Sequence, residues 1–285
     1  MTATLEAPTG QQTLPRAATP TRPEEVGHVS LYGDLTCPWS YLASRRAALL
    51  ETDGVTVEWR MVEHERPTPG RGPGAGVRLE LARRDLERVT KRLLPGEELP
   101  HDLGRFVPYT KPAVSGYAEA YLAGVGPQAR RLLFEAFWLR GVDVGNARVV
   151  RALLADTIRN GSPSSDLLRE WGYAVDVTGA PVTADAWRLV REWRSGWSSG
   201  GEIVPVLVFD NGRRMNGVEA VEWLGAEVVR RGIDPGRPDR RRNGRTSPKR
   251  DLADLSWASQ HGNRWMQARR DANAAELFSR LRPWI

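Results

Sequence analysis

Thr36-Cys37-Pro38-Trp39-Ser40 holds the only cysteine of this 285-residue chain, between a strand-like run (Val29 to Leu35) and a helix-like one (Tyr41 to Glu51). A thiol at a helix N-terminus faces unpaired backbone N–H groups and the positive end of the helix dipole. Both favour the thiolate, the form that does nucleophilic sulfur chemistry. Pro38 suits the first turn of a helix, and Ser40, three residues beyond the thiol, is placed to donate its hydroxyl to the sulfur. The motif has C-x-x-C spacing with the second sulfur replaced by oxygen. A free cysteine is commonly just a small buried hydrophobe, but the position at a helix start points to functional use. Cys37 is therefore the candidate nucleophile and Ser40 its candidate partner. Trp39 reads as a partly exposed wall of the site and Asp34 as a solvated aspartate at a strand end. His64 closes the second strand and is assigned no catalytic role.

The elements that must position this motif follow from periodicity. A strand to Leu35, a helix from Pro38 to Glu51, an Asp53-Gly54 turn and alternating Val55, Val57, Trp59 and Met61 form a strand, helix, strand unit. A helix of this length between short strands favours a parallel pair with a right-handed crossover. From about 76 to 197 the signals are helical. Leu79, Ala82, Leu86, Val89 and Leu93 recur at spacings of three and four; Val150, Leu153, Leu154 and Ile158 follow a cap at Asn146; Ala186, Val190, Trp193 and Trp197 follow Thr183. These stripes read as core-facing. Strand character returns at Ile203 to Asp210, turns at Asn211-Gly212 and continues to Asn216. A helix bearing Val218, Val221, Leu224 and Val228 follows, with Gly232 beyond its end. Pro205 lacks the N–H of an ordinary central-strand residue and requires an edge position or a special backbone state such as a cis peptide.

Composition bounds the function. The chain reads as globular, no apolar run approaches a membrane span, and the N-terminus lacks a secretory pattern, so a cytoplasmic location without a membrane partner is expected. One cysteine forms no internal disulfide, and His28, His64, His101 and His261 have no metal-ligand spacing, so no metal is expected. The net charge of +6 resides in residues 236–250, which hold seven Lys or Arg and one Asp. That Pro- and Gly-rich run reads as a solvated linker, and nucleic acid is not an expected partner.

In that order, these pieces resemble the thioredoxin fold as elaborated in the DsbA family, specifically the bacterial branch of cytoplasmic FrnE-like proteins and 2-hydroxychromene-2-carboxylate isomerases, over residues 28 to 232. Cys37-Pro38-Trp39-Ser40-Tyr41-Leu42 is similar to the family's CPWCYLG-type site, Val57-Glu58-Trp59-Arg60 to its VxWRPF element, and Val204-Pro205-Val206-Leu207-Val208 to its GVPTFVI strand with a cis proline beside the active sulfur. The resemblance implies an α/β, thioredoxin-like fold with a large all-helical insertion. It would divide into an N-terminal tail without order (1–26), a βαβ half (27–75), the helical insertion (76–200), a ββα half (201–232), a basic linker (233–251) and a helical C-terminal extension with Trp257, Trp265 and Phe278 (252–285). It also implies an enzyme in which Cys37 and Ser40 are catalytic and Pro38, Trp39, Val204 and Pro205 contact substrate.

Ser40 stands where a dithiol enzyme has its resolving cysteine, so a disulfide cannot be stored within the motif. What the resemblance then implies is a monothiol thiol–disulfide oxidoreductase: Cys37 forms a mixed disulfide, and an external low-molecular-weight thiol resolves it. No tightly bound cofactor is expected. The partners would be small thiols such as glutathione or mycothiol, or disulfide-containing protein or small-molecule substrates. Two alternatives stay open. One is a thiol-cofactor-dependent transferase or isomerase of the kappa-class glutathione transferase or chromene isomerase type, with Arg45, Arg46 and Arg60 as suppliers of positive charge for the cofactor's carboxylates. The other is a non-catalytic interaction protein with a degenerate thioredoxin site.

Overall fold

The computed structural model describes residues 27–64, 74–100, 107–198 and 203–236, with no side chains for 74–78. The N-terminal tail, most of the basic linker and the C-terminal extension expected from the sequence lie outside the described residues. Four strands form one sheet: β1 (His28–Gly33), β2 (Thr56–Met61), β3 (Val206–Phe209) and β4 (Arg214–Asn216), in the order β2-β1-β3-β4. β1 runs parallel to β2, with Val29 opposite Val57 and Leu31 opposite Trp59, and antiparallel to β3, with Tyr32 opposite Val206. β3 and β4 are joined through the Asn211-Gly212 turn, in which Gly212 takes a φ of +80°. β1 is thus central, which fits its burial on both faces: Val29 and Leu31 are fully buried and Tyr32 nearly so.

Helix α1 (Pro38–Thr52) connects β1 to β2, and α8 (Gly217–Arg230) follows β4. Between β2 and β3 lie α2 (Gly74–Thr90), α3 (Lys111–Leu122), α4 (Gly126–Arg140), α5 (Ala147–Arg159), α6 (Asp166–Trp171) and α7 (Ala184–Ser198). The caps expected from sequence are present: the Asn146 side chain accepts from the Arg148 N–H, and the Thr183 hydroxyl accepts from the Ala186 N–H. One continuous apolar core runs from β1, β2 and β3 through α1 and α8 into α3, α4, α5 and α7. Trp39, Trp59, Trp138 and Trp193 serve this core. Trp59 and Trp193 are fully buried, and Gly33 has no side chain because a Cβ there would lie 2.2 Å from the Trp59 ring.

Two contacts fix α1, the helix that carries the motif. At its start, the Trp138 indole N–H of α4 donates to the Leu35 carbonyl (2.9 Å), while Tyr41 stacks on Trp138 at 5.1 Å between ring centres. Further along, Arg46 is buried and makes a two-pronged ion pair with Glu97 (2.8 and 2.7 Å), donating also to the carbonyls of Val221 and Arg92. A Cβ on Gly225 of α8 would come within 2.6 Å of that guanidinium, so the glycine is what lets α8 close over it. Glu97 also accepts from the Leu94 N–H, tying the segment after α2 to α1. Replacing Glu97 by Ala strands a buried guanidinium and is expected to destabilise the fold by about 3–5 kcal/mol, read from denaturant unfolding. A loss below about 1 kcal/mol, the range of a surface pair, would sink this reading of the pair.

Candidate active site

Cys37 is the N-cap of α1, with extended backbone angles (φ −84°, ψ 122°), and Pro38 begins the helix. Helix and turn geometry converge on the sulfur: the Ser40 and Trp39 N–H groups and the Ser40 hydroxyl all draw its pKa down, as the sequence predicts. The net result is nevertheless the opposite of an activated thiolate. Although Cys37 keeps some exposed surface, burial of the sulfur is the largest effect and, with the nearby Asp34 carboxylate, pushes the thiol up to about 12. The S–H donates to the Val204 carbonyl at 3.7 Å, a bond available only to the protonated form. The expectation of a low-pKa thiolate is therefore corrected: desolvation outweighs the helix terminus.

Asp34 is the residue that sequence reasoning misjudged. It is buried, not solvated, at 4% exposure. One carboxylate oxygen accepts from both the N–H and the hydroxyl of Thr36 (2.7 and 2.8 Å), and the other accepts from the His64 N–H (2.7 Å). The backbone N–H of Asp34 in turn donates to the Ser40 hydroxyl oxygen at 3.2 Å. Asp34 thus fixes the turn that presents Cys37 and links it to the end of β2. The Asp-x-Thr spacing, which favours a side-chain-closed turn, was the legible signal. Glu63, just before His64, has its carboxyl raised by burial and by Asp34.

The other sequence candidates fall in two groups. Pro38, Trp39 and Val204 line a cleft of about 570 Å³ together with Cys37, Thr36, Asp34 and His64. Trp39 is buried at 8% exposure and not partly exposed as expected, although it does line the cleft. Ser40 is fully buried beneath the sulfur and Pro205 is buried behind Val204, through a cis Val204–Pro205 peptide; neither lines the cleft. The rest of the cleft was not anticipated: Leu81, Ala82, Asp85 and Arg88 from α2, Tyr109 and Thr110 before α3, and Asn216, Gly217 and Val218 where β4 meets α8. Leu81, Tyr109, Ile203 and Val218 are exposed apolar side chains at its rim. His64 packs edge-on against Trp197. Arg45, Arg46 and Arg60 do not line the cleft. Arg46 serves Glu97, and Arg60 pairs with Glu58 at 2.7 Å and donates to the Tyr32 hydroxyl. The positive charge in the cleft is Arg88, 3.3 Å from Asp85.

Solved structures with the same arrangement include a probable DsbA oxidoreductase from Streptomyces coelicolor, 18% identical with a TM-score of 0.50, which covers 72% of this chain and 89% of that one. A putative protein disulfide isomerase from Nitrosomonas europaea is 16% identical with a TM-score of 0.50, covering 71% of this chain and 97% of that one. A cytosolic disulfide reductase, DsbM, from Pseudomonas aeruginosa with GSH is 17% identical with a TM-score of 0.49 over 72% of this chain and all of that one. The chain has a DsbA-like thioredoxin fold. No protein-family model matches it, nor does any curated protein sequence at comparable significance. No helix among the described residues is long and apolar enough to cross a membrane, and no group of His, Cys, Asp and Glu among them is arranged to hold a metal ion. Within this DsbA-like fold the electrostatics of the sulfur are directly measurable. A thiol raised to about 12 stays protonated through neutral pH, and its ionised fraction grows tenfold per pH unit until the pH nears that value. Alkylation of Cys37 is therefore expected to run roughly a thousandfold slower at pH 8 than that of a free thiol of pKa ~8.5, and to keep rising past pH 10. A labelling rate that levels off below pH 9, with Cys37→Ser as the blank, would contradict it.

Proposed function

We propose that the cleft is the site of thiol–disulfide exchange through a single sulfur, with Cys37 as nucleophile and an external low-molecular-weight thiol completing the cycle. The observation that carries this reading is the convergence of the cleft on Cys37 and the Val204 carbonyl, at the N-terminus of a helix within a DsbA-like fold. In the first step Cys37 gives its proton to a solvent base and attacks a disulfide R–S–S–R′; the Cys37–S–S–R bond forms, the S–S bond of the substrate breaks and R′–S⁻ leaves. In the second, the thiolate of an external thiol attacks the mixed disulfide, frees Cys37 as thiolate to be reprotonated, and carries R away in a new disulfide. Ser40 offers no sulfur to either step; its hydroxyl and N–H, with the Trp39 N–H, stabilise the sulfur while it is charged. A substrate N–H that takes the Val204 carbonyl removes the acceptor of the resting S–H and so favours ionisation in the complex. Pro38, Trp39 and Val204 wall the space that such a substrate fills.

A second reading rests on the same S–H. A protonated Cys37, which lines the cleft, is a hydrogen-bond donor suited to holding the sulfur of a bound thiol cofactor in a transferase or isomerase reaction. The two readings part at Cys37→Ser. With small disulfides and a thiol as resolving partner, loss of exchange to background in Cys37→Ser, together with a trapped adduct on wild-type Cys37 in mass spectrometry, is the outcome expected of the first. Thiol binding and turnover that survive in Cys37→Ser, with no adduct on the wild type, would replace it with the second.

A further inference from the structure

Helix α2 has two working flanks. Leu81, Ala82, Asp85 and Arg88 turn to the cleft, whereas Leu86, Glu87 and Thr90 line a separate groove of about 420 Å³, closed by Leu93, Glu98, Leu99 and Pro100. The groove has an apolar floor and two acidic lips. Glu87 and Glu98 are exposed and have no ion-pair partner among the described residues, while Glu97 beside them is committed to Arg46. The end of the described chain arrives at this place. Gly236 packs against Gly96, so closely that a Cβ on Gly96, which has a φ of +85°, would lie 2.8 Å from the Gly236 nitrogen. From there residues 237 to 242 carry Arg237, Arg240, Arg241 and Arg242, and the run to Arg250 adds three further basic residues. Six extended residues reach about 20 Å, and they start beside Gly96, next in sequence to the groove residues Glu97 and Glu98.

We propose that the groove behind α2 is the seat of this chain's own basic segment, residues 237 to 250. The arginine stems lie on Leu86, Leu93, Leu99 and Pro100, and their guanidinium groups pair with Glu87 and Glu98. The exit point of the chain, the reach of the segment and the opposite charge of the two surfaces all select this occupant. Seated there, the segment braces the face of α2 opposite the cleft.

The test is limited trypsin digestion of the full chain, with cleavage at each bond from Arg237 to Arg250 followed by mass spectrometry. Glu87→Lys/Glu98→Lys is expected to speed cleavage in this segment several-fold at low ionic strength while leaving the thermal midpoint and cleavage at the other native sites unchanged, cuts after the two introduced lysines being set aside. Salt at about 0.5 M is expected to do the same to the unaltered chain and to have little effect on the variant. The salt arm and the milder Glu87→Gln/Glu98→Gln chain keep the test valid should charge reversal disturb folding. Equal cleavage of wild type and variants at low salt would overturn the proposal. Protection that grows with protein concentration would overturn it in favour of a second copy, and protection that arises only on adding an anionic polymer would assign the segment to a different partner.

Discussion

The site depends on the antiparallel pairing of β1 with β3. Because Tyr32 stands opposite Val206, the chain leaving β1 and the chain entering β3 meet at the same end of the sheet. That brings Asp34 to Cys37 against Ile203 to Pro205, across more than half the sequence, and lets a thiol at a helix start meet a carbonyl from a distant strand. The parallel pairing of β1 with β2 adds the third edge: Met61 ends opposite Gly33, so His64 follows directly into the reach of Asp34. Three chain segments are thereby locked at one rim of the sheet, each by backbone groups whose hydrogen bonds have to be satisfied in a buried place.

Besides the apolar core, polar groups carried inside tie the helices between β2 and β3 to that frame and to one another. Arg130 of α4 is buried over the Trp59 ring and pairs with Glu51 of α1 at 2.7 Å. Glu58 gathers the hydroxyls of Ser30 and Tyr121 and the guanidinium of Arg60, which lowers its pKa although burial opposes this. Glu119 of α3 accepts from the N–H groups of Val182 and Thr183 and from the Thr183 hydroxyl, anchoring the start of α7. Such groups set orientation more than stability, because each is costly to leave unpaired and so admits few alternative packings.

Much of the fold was legible in the sequence because local rules decided it. The strand after Gly54, the Asn146 cap, the Asn211-Gly212 hairpin and the start of α1 at Pro38 all follow from spacing and turn chemistry. The sulfur was legible in the same way, whereas Val204 as its neighbour came from the family resemblance and not from spacing. What stayed hidden was decided by tertiary contact. Cys37 sits where the helix dipole favours charge, yet no sequence rule reports how much protein closes over it, and that closure raises the thiol's pKa where the helix start alone would lower it. Arg46 carries a charge suited to a ligand but spends it on Glu97, a partner 51 residues away. The stripe Leu79, Ala82, Leu86, Val89 and Leu93 was read as core-facing, yet Ala82 also lines the cleft, and Leu86 and Leu93 the groove behind it.

Cys37 paired with a buried Ser40 has a consequence in terms of mass action. A second sulfur in the motif would act as a competitor at a fixed and high effective concentration, insulating the site from its surroundings. With oxygen in that place there is no such competitor, and under the proposed exchange the fraction of Cys37 held as a mixed disulfide would be governed by the ratio of free disulfide to free thiol in the medium. The sulfur cannot set its own redox level. Under that exchange it would follow the pool around it, and the shape and charge of the cleft would decide which members of that pool are counted.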